Sequence, residues 1–380
     1  MLFELTNEQR VFLGLTLTEE SWDRVKFNDT TFLYFDGNRL VKKISVDANF
    51  YYEIALDERT SDNRSIVLPR TERGKAKKFN YTALQSMSGV GVYFRFDKYV
   101  TIGNFTTQRT FYSSSGNEEK MQNISELKKW LDWWISDTSE NNLTDINLFK
   151  SAKRVHCKYY EGDFFAFKLG RRRYGFGRIL LDVSKVTKDI KSGKLKEKHY
   201  GLIQLMGKAL IIKIYNFTSD MKKIDLNELK RSDSFLSQPV MDNVFYYGEY
   251  EIIGNEALED FELEFPISYS RSISAKDRNT VYLQYGLIYK EIDISRYNKY
   301  LSNEGKVELF SINPYRNESI GYGIKKGTLK QLQGLSSPID ESFDLRSGKN
   351  KDIKNEIFST FGLDANKSYA ENYEICFRTK

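Results

Sequence analysis

Two histidines and two cysteines are the side chains of this sequence that could bind a transition metal or supply a nucleophile. His156 and Cys157 are adjacent, while His199 and Cys376 stand alone. Zinc sites need several ligands at characteristic short spacings, and neither C-x2-C nor H-E-x-x-H occurs. A catalytic Cys–His pair meets in space, whereas neighbouring strand residues point to opposite faces. We therefore predict no metal and no catalytic residue, both histidines at the surface or a strand edge, and Cys376 in a buried strand.

A near match to a phosphate-binding loop runs from Gly201 to Lys208. Its two glycines are separated by one residue too many, and Ala209 replaces the Ser or Thr that this motif requires. The residues between the glycines are apolar, whereas a phosphate is held by exposed backbone amides. The pattern instead predicts two strands, residues 200–205 and 209–215, joined by a turn.

An acidic run precedes Pro266. Its carboxylates alternate with apolar residues: Glu259, Asp260, Glu262 and Glu264 against Phe261, Leu263 and Phe265. Side chains of a strand point alternately to its two faces. The run therefore predicts a strand with a solvated acidic face.

The middle of the chain is strongly basic. Residues 150–231 carry 21 basic and 8 acidic side chains, whereas residues 1–149 carry 19 and 21 and residues 232–380 carry 18 and 23. Such a charge distribution attracts acidic partners, either proteins or nucleic acids. Within it, Arg171, Arg172, Arg173 and Tyr174, followed by Gly175-Phe176-Gly177, could hold phosphates and stack on a base. The alternative is a hairpin tip with solvated arginines and with Tyr174 and Phe176 packed inward.

Strand-like runs dominate the remaining pattern and predict a mainly β, α+β fold. We expect two, or three, small twisted or barrel-like antiparallel sheets joined by a helical linker. Predicted strands are residues 31–35, 39–46, 50–56, 65–68, 91–96, 99–105, 109–113, 163–169, 175–182, 248–253, 280–288 and 306–312. Helices are predicted at residues 6–12, 124–137, 287–300 and 351–361, with a polar linker at 136–145. Residues 183–198, which contain six lysines, read as a mobile basic loop or a poorly packed helix.

These elements suggest four regions along the chain. Residues 1–118 form a β-rich N-terminal domain, and residues 119–150 form a tryptophan-rich helix and linker. Residues 151–271 form a second β domain, and residues 272–380 form a C-terminal α+β extension.

Composition bounds the compartment in which the protein is expected. Two distant cysteines exclude a disulfide framework and suit a reducing cytoplasm. The N-terminus lacks the basic and apolar segments of a signal peptide. No run of about 18 apolar residues is present, so we expect no membrane span.

Two groups of residues resemble the immunity protein 26 family, whose members accompany bacterial polymorphic toxins. The first group is Gly162-Asp163-Phe164-Phe165-Ala166-Phe167 followed, after a charged turn, by Tyr174-Gly175-Phe176-Gly177-Arg178-Ile179-Leu180. The second is Tyr247-Gly248 and Ile252-Ile253-Gly254-Asn255, with Phe265-Pro266 after it. The resemblance covers residues 158–271. In this hairpin, Phe165 and Phe167 should share one face and Phe164 and Ala166 the other, while Gly175 and Gly177 permit close packing by an aromatic ring.

The resemblance implies a non-enzymatic protein that binds and neutralises a cognate toxin in the cytoplasm, without a cofactor. The partner-binding residues expected from the basic region are Arg171, Arg172, Arg173, Tyr174, Lys188, Lys191, Lys194 and Lys196, which would attract an acidic toxin surface. One alternative is a nucleic-acid-binding module that uses the same region. A second is a phosphotriesterase-like hydrolase, a label that related proteins carry, although the usual metal site of such enzymes needs several histidines.

Overall fold

Antiparallel strands form the framework of the chain, and several of them are buried along almost their whole length. The computed structural model describes residues 3–116, 120–196, 199–203, 205, 208–272, 274, 276–301, 313–321, 324–332, 334 and 341–377. The chain divides into two units: Met1–Cys157 with Tyr247–Glu249, called unit 1, and Lys158–Tyr246 with Tyr250–Lys380, called unit 2. The predicted strand at 306–312 lies outside the described residues.

Unit 1 is built on a seven-stranded antiparallel meander. Its strand order is β1-β2-β3-β4-β7-β8-β9, and β5 pairs separately with β6. The strands are β1 (Asp23–Asn28), β2 (Thr31–Asp36), β3 (Arg39–Asp47), β4 (Phe50–Arg59), β5 (Ile66–Val67), β6 (Lys77–Lys78), β7 (Val90–Asp97), β8 (Tyr99–Asn104) and β9 (Arg109–Ser113). All seven strands predicted in this region are therefore confirmed, to within three residues at their ends.

Four helices complete unit 1: α1 (Asn7–Leu13), α2 (Tyr81–Gln85), α3 (Ile124–Ser136) and α4 (Glu140–Ser151). The predicted helices α1 and α3 are confirmed. Trp134 of α3 is fully buried and donates from its indole nitrogen to the carbonyl of Phe12 at 2.8 Å. The polar linker predicted at 136–145 is wrong beyond its first residues, because Ser139 caps α4 and Ile146 and Phe149 bury one side of that helix.

Unit 2 contains two further open antiparallel sheets. A five-stranded sheet has the order β13-β12-β11-β10-β14, and a three-stranded sheet has the order β15-β16-β17. The strands are β10 (Asp163–Lys168), β11 (Tyr174–Asp182), β12 (Ala209–Ser219), β13 (Gln238–Met241), β14 (Glu251–Asn255), β15 (Ile267–Arg271), β16 (Thr280–Tyr285) and β17 (Ile288–Asp293). The helices are α5 (Val183–Lys191), α6 (Tyr200–Ile203), α7 (Leu226–Arg231), α8 (Asn243–Tyr246), α9 (Ile324–Leu332), α10 (Lys351–Thr360) and α11 (Tyr369–Phe377).

The mainly β, α+β class and the antiparallel pairing are confirmed. The described residues form four sheets, more than the two or three expected, and all are open rather than closed into barrels. One hydrophobic core of unit 2 joins residues on both sides of position 271. Leu180 and Ile211 contribute to it from the five-stranded sheet, and Leu283, Ile357 and Phe358 contribute from later elements.

Several local predictions in unit 2 are wrong. Residues 200–203 form helix α6 rather than a strand. The helix predicted at 287–300 is wrong. Residues 288–293 form strand β17 instead, because Gly286 adopts a φ of 55° and allows a tight turn that pairs Tyr285 with Ile288. Cys376 lies in helix α11 and is half-buried, rather than in a buried strand. The helix predicted at 351–361 is confirmed as α10.

Candidate partner-binding surface

The hairpin formed by β10 and β11 separates its aromatic residues onto two faces. Phe165 and Phe167 lie in one hydrophobic cluster, while Phe164 and Ala166 lie in another on the opposite face. All four side chains are buried. The predicted division of the motif between two faces is confirmed, and its aromatic residues build the sheet.

Gly175 and Gly177 are needed because aromatic rings pack directly against the backbone of β11. A Cβ atom at Gly177 would lie 2.4 Å from the Phe165 ring and 2.5 Å from the carbonyl oxygen of Lys213. A Cβ atom at Gly175 would lie 2.8 Å from the Phe167 ring. These distances are shorter than van der Waals contact, so the two glycines allow close approach, as the sequence predicted.

Arg178 occupies the middle of the hairpin face that carries Phe164. Its side chain is fully buried and forms an ion pair with Glu262, whose side chain is also buried. Its Nη2 donates to the carbonyls of Glu256 and Ala257, both at 2.9 Å. Its guanidinium lies 4.3 Å from the centroid of the Phe164 ring. A buried charge requires a partner of opposite sign, and Arg178 has one.

Glu262 also interacts with a second cation, Lys213, whose Nζ lies 3.4 Å from the carboxylate. Burial raises the pKa of Glu262. The backbone N–H of Glu259 and the charges of Arg178 and Lys213 together lower it by more than burial raises it, so the pKa is below its ordinary value. Burial lowers the pKa of Lys213 despite its attraction to Glu262. Glu262 therefore stays ionised between two cations in the interior.

The strand predicted for the acidic run is wrong. Residues Asp260–Glu262 form a 3-10 turn instead. Glu262, expected on a solvated face, is 3% exposed, whereas Phe261, on the other side of the predicted strand, is 70% exposed. The pattern is reversed at these two residues because Arg178 and Lys213 hold the Glu262 carboxylate in the interior. Arg178, an isolated charge in the apolar run after Gly177, was the sequence signal that such a partner exists.

The predicted partner-binding residues around the hairpin tip differ in accessibility. Arg171 is buried at 8% exposure, so this part of the prediction does not fit an accessible contact. Arg172 and Arg173 are exposed. Tyr174 is half-buried and packs with the cluster of Phe164 and Phe176, as predicted by the alternative in which these residues form a hairpin tip.

Of the two alternatives for the lysine-rich segment after β11, the helix is confirmed over Val183–Lys191, but it packs against the core rather than poorly. Val183 and Val186 of α5 are buried in the core of unit 2, and Ile190 packs against that core. The exposed side carries the predicted lysines Lys188 and Lys191, and the turn that follows exposes Lys194 and Lys196. The helical spacing of its apolar residues was the signal that the sequence reasoning missed.

The two basic groups lie at opposite ends of one strand. Arg172 and Arg173 precede β11, and the lysines follow it on α5 and its turn. This strand has nine residues. At about 3.3 Å per residue its ends lie about 26 Å apart. The structure therefore presents two separate basic surfaces, not one continuous patch.

The two histidines lie in different environments. His156 is exposed in unit 1, whereas His199 in unit 2 is 1% exposed and lies beside Tyr289 with a ring-centroid separation of 5.5 Å. The predicted surface or strand-edge position is wrong for His199, because α6 and the three-stranded sheet enclose it. Across the described ranges, no three His, Cys, Asp or Glu side chains are grouped so that they could hold a metal ion.

Unit 1 carries an open cleft of about 800 Å³ at one end of its sheet. Arg39 and Asp57 form an ion pair within its lining at 2.6 Å. Arg70 pairs with the buried Glu58 at 2.5 Å. Because its charges are largely matched in this way, the cleft offers no strong field of one sign.

One segment of this chain matches the model of a known protein family. In the part that the structure describes, no helix is both long and apolar enough to cross a membrane. No curated protein and no solved structure matches the chain. Residues 160–279, less than a third of the chain, match the family model of immunity protein 26. The resemblance seen in the sequence is thereby confirmed: the segment that contains the β10–β11 hairpin is similar to the immunity protein 26 family.

Proposed function

We propose that this protein is a non-enzymatic bacterial immunity protein that binds and neutralises a cognate toxin of a polymorphic toxin system in the cytoplasm. The match of residues 160–279 to the immunity protein 26 family carries this proposal. The aromatic and glycine residues of the shared hairpin are buried and shape a sheet. Inhibition by masking a toxin needs such a rigid surface and requires no reactive group.

The exposed basic residues support an electrostatic role in the encounter with an acidic region of the toxin. Arg172 and Arg173 would act at one end of β11, and Lys188 and Lys191 at the other. A standard interface buries about 800 Å² on each partner, so one partner large enough to span the sheet could reach both groups. Charges at the rim of an interface mainly change the association rate.

A binding experiment with charge-reversal variants tests this proposal. Each protein encoded beside the gene is purified and mixed with this protein, and a stoichiometric complex with one of them is expected. Arg172→Glu with Arg173→Glu, or Lys188→Glu with Lys191→Glu, should slow association about tenfold at low salt and leave the dissociation rate nearly unchanged. Lys367→Glu is the matched control, because Lys367 is also exposed but lies outside the family segment. Unchanged association in both double variants would contradict the electrostatic role.

Nucleic-acid binding is the second candidate, and the exposed pair Arg172 and Arg173 is the observation that favours it. Phe176, which could have stacked on a base, is fully buried instead. A mobility-shift assay with generic RNA and DNA at two salt concentrations distinguishes the two functions. The immunity function predicts no binding at physiological salt, whereas tight binding that falls steeply with salt would favour nucleic acid.

The hydrolase alternative has less support from the residues. A phosphotriesterase of the usual kind needs several metal-binding histidines, and this chain contains two. Elemental analysis of the purified protein should therefore find no stoichiometric transition metal. Finding one, together with turnover of a phosphotriester, would overturn the non-enzymatic part of the proposal.

A further inference from the structure

Phe261 has the largest exposed fraction of any large hydrophobic side chain that the structure describes, 70%. A single exposed hydrophobic residue is ordinary on a protein surface. Here, however, the exposed aromatic side chain stands next to a buried carboxylate, that of Glu262. Local reversals of the usual hydrophobic pattern are expected mainly where function opposes stability.

The turn that carries Phe261 is held in place by the buried side chain of Glu262. Glu262 pairs with Arg178 and Lys213 inside the sheet, and its other carboxylate oxygen accepts from the backbone N–H of Glu259 at 3.1 Å. Both ends of the 3-10 turn are thereby tied to one buried carboxylate. Because a broken buried ion pair leaves an uncompensated charge, this turn cannot move outward without a large energetic penalty.

The segment leading into the turn is fixed as well. Arg178 donates to the carbonyls of Glu256 and Ala257. Lys230, on α7, pairs with Glu256 at 2.8 Å and with Glu259 at 3.1 Å. Residues 256–262 are thus held by three cations, and Phe261 projects from a backbone that is already ordered.

The surface beside Phe261 carries the exposed carboxylate of Asp260, for which the structure describes no ion pair. The other four carboxylates of residues 255–264 are paired with cations from other elements: Glu256 and Glu259 with Lys230, Glu262 with Arg178 and Lys213, and Glu264 with Arg346. Asp260 and Glu259, which flank Phe261 on its N-terminal side, are both exposed. A partner that buries Phe261 must therefore place its own border against negative charge, which favours a basic border.

We propose that Phe261 is the anchor through which this protein binds its toxin, and that the toxin supplies an apolar pocket with a basic rim. This inference rests on the proposed immunity function and assigns its contact point. Aromatic anchors in desolvated pockets supply a large part of interface energy, and an anchor held in place beforehand avoids the entropy loss of ordering. The buried Arg178–Glu262–Lys213 cluster positions the anchor and does not itself contact the partner.

The test uses the full-length protein and the purified neighbouring-gene product whose toxicity the wild-type protein suppresses. Phe261→Ala should raise the dissociation constant at least about tenfold, because hot-spot truncations cost at least that much. Met221→Ala is the matched control, since Met221 is 64% exposed and also lies in the family segment. Its dissociation constant should stay within about twofold of wild type. Both variants should keep the wild-type melting temperature because both side chains are exposed.

The acidic surround is tested separately. Asp260→Lys should slow association with the same toxin severalfold, and the difference from wild type should shrink as salt is raised. If the Asp260→Lys variant associated faster than the wild-type protein, the proposal that the toxin pocket has a basic rim would be wrong.

The outcomes separate this inference from the function on which it rests. If wild-type protein neutralises a toxin but Phe261→Ala binds it as tightly, the anchor is overturned and the immunity function stands. If wild-type protein neutralises no neighbouring gene product, both are overturned.

Discussion

At the scale of single residues, two neighbours on β11, Gly177 and Arg178, give the two faces of the five-stranded sheet different interactions. Gly177 lets the Phe165 ring and the Lys213 carbonyl approach the backbone of β11 from two sides. Arg178, the next residue, points to the opposite face and pairs with Glu262. The motif shared with the family therefore determines both the packing of one face and the buried charge of the other.

Gly177→Ala should destabilise the protein. Its new Cβ would overlap the Phe165 ring and the backbone of β12, and overpacking of this kind costs about 1–3 kcal/mol. Gly170→Ala is the matched control in the same hairpin, because no atom lies within 4 Å of a Cβ there. Denaturant unfolding of the two variants measures the difference, and equal stability would show that the close packing at Gly177 is not needed.

Arg178→Met should cost more than the loss of an exposed charge. It leaves Glu262 buried with only Lys213 as a counter-charge, and breaking a buried pair costs about 3–5 kcal/mol. The double change Arg178→Met with Glu262→Leu should recover much of that loss, since an apolar pair can replace a buried ion pair. A double variant that is as unstable as the sum of the two single changes would contradict the pairing.

At the scale of elements, the sequence predicted the meander of unit 1 well because its strands are short, alternating and locally connected. The hairpin β10–β11 was predicted for the same reason. Two other expectations failed because of long-range structure that the local pattern does not show. The acidic run became a 3-10 turn because Glu262 pairs with residues on two distant strands, and the partner-binding residues could not be grouped because β11 separates them.

Helix α5 gives a prediction at this scale. Val186→Ala should lower the free energy of unfolding by about 1–3 kcal/mol, because Val186 is buried in the core of unit 2. Lys188→Ala on the same helix should change it by less than about 0.5 kcal/mol, because Lys188 is exposed. A comparable loss in both variants, measured by denaturant unfolding, would contradict the observed orientation of α5.

At the scale of the whole molecule, each unit buries one carboxylate between an arginine and a lysine. In unit 1, Glu53 accepts from Arg10 at 2.8 Å and from Lys42 at 2.6 Å. Burial raises the pKa of Glu53, but the charges of Lys42 and Arg10 lower it by more, so the net pKa is depressed. Unit 2 repeats this chemistry with Glu262, Arg178 and Lys213, and its carboxylate pKa is depressed as well.

This arrangement predicts sensitivity to acid in both units. A carboxylate whose pKa is lower in the folded protein stabilises the fold above its unfolded pKa of about 4.3, and that contribution is lost as pH falls through the folded value. Hydrogen exchange should therefore show loss of protection in both units below about pH 4. Glu53→Gln and Glu262→Gln should each make its own unit less dependent on pH, whereas the exposed Glu228→Gln should not. An unaltered pH dependence in both buried variants would contradict this assignment.

The central claim is that this protein protects a cell by neutralising a toxin, and growth of cells that express the neighbouring genes tests it most directly. Each neighbouring gene is expressed alone, with this protein, and with its Phe261→Ala variant. We predict that one gene arrests growth alone, that the wild-type protein restores growth, and that the variant restores it only at higher expression. Growth arrest that the wild-type protein does not relieve, or the absence of any toxic neighbour, would contradict the immunity function.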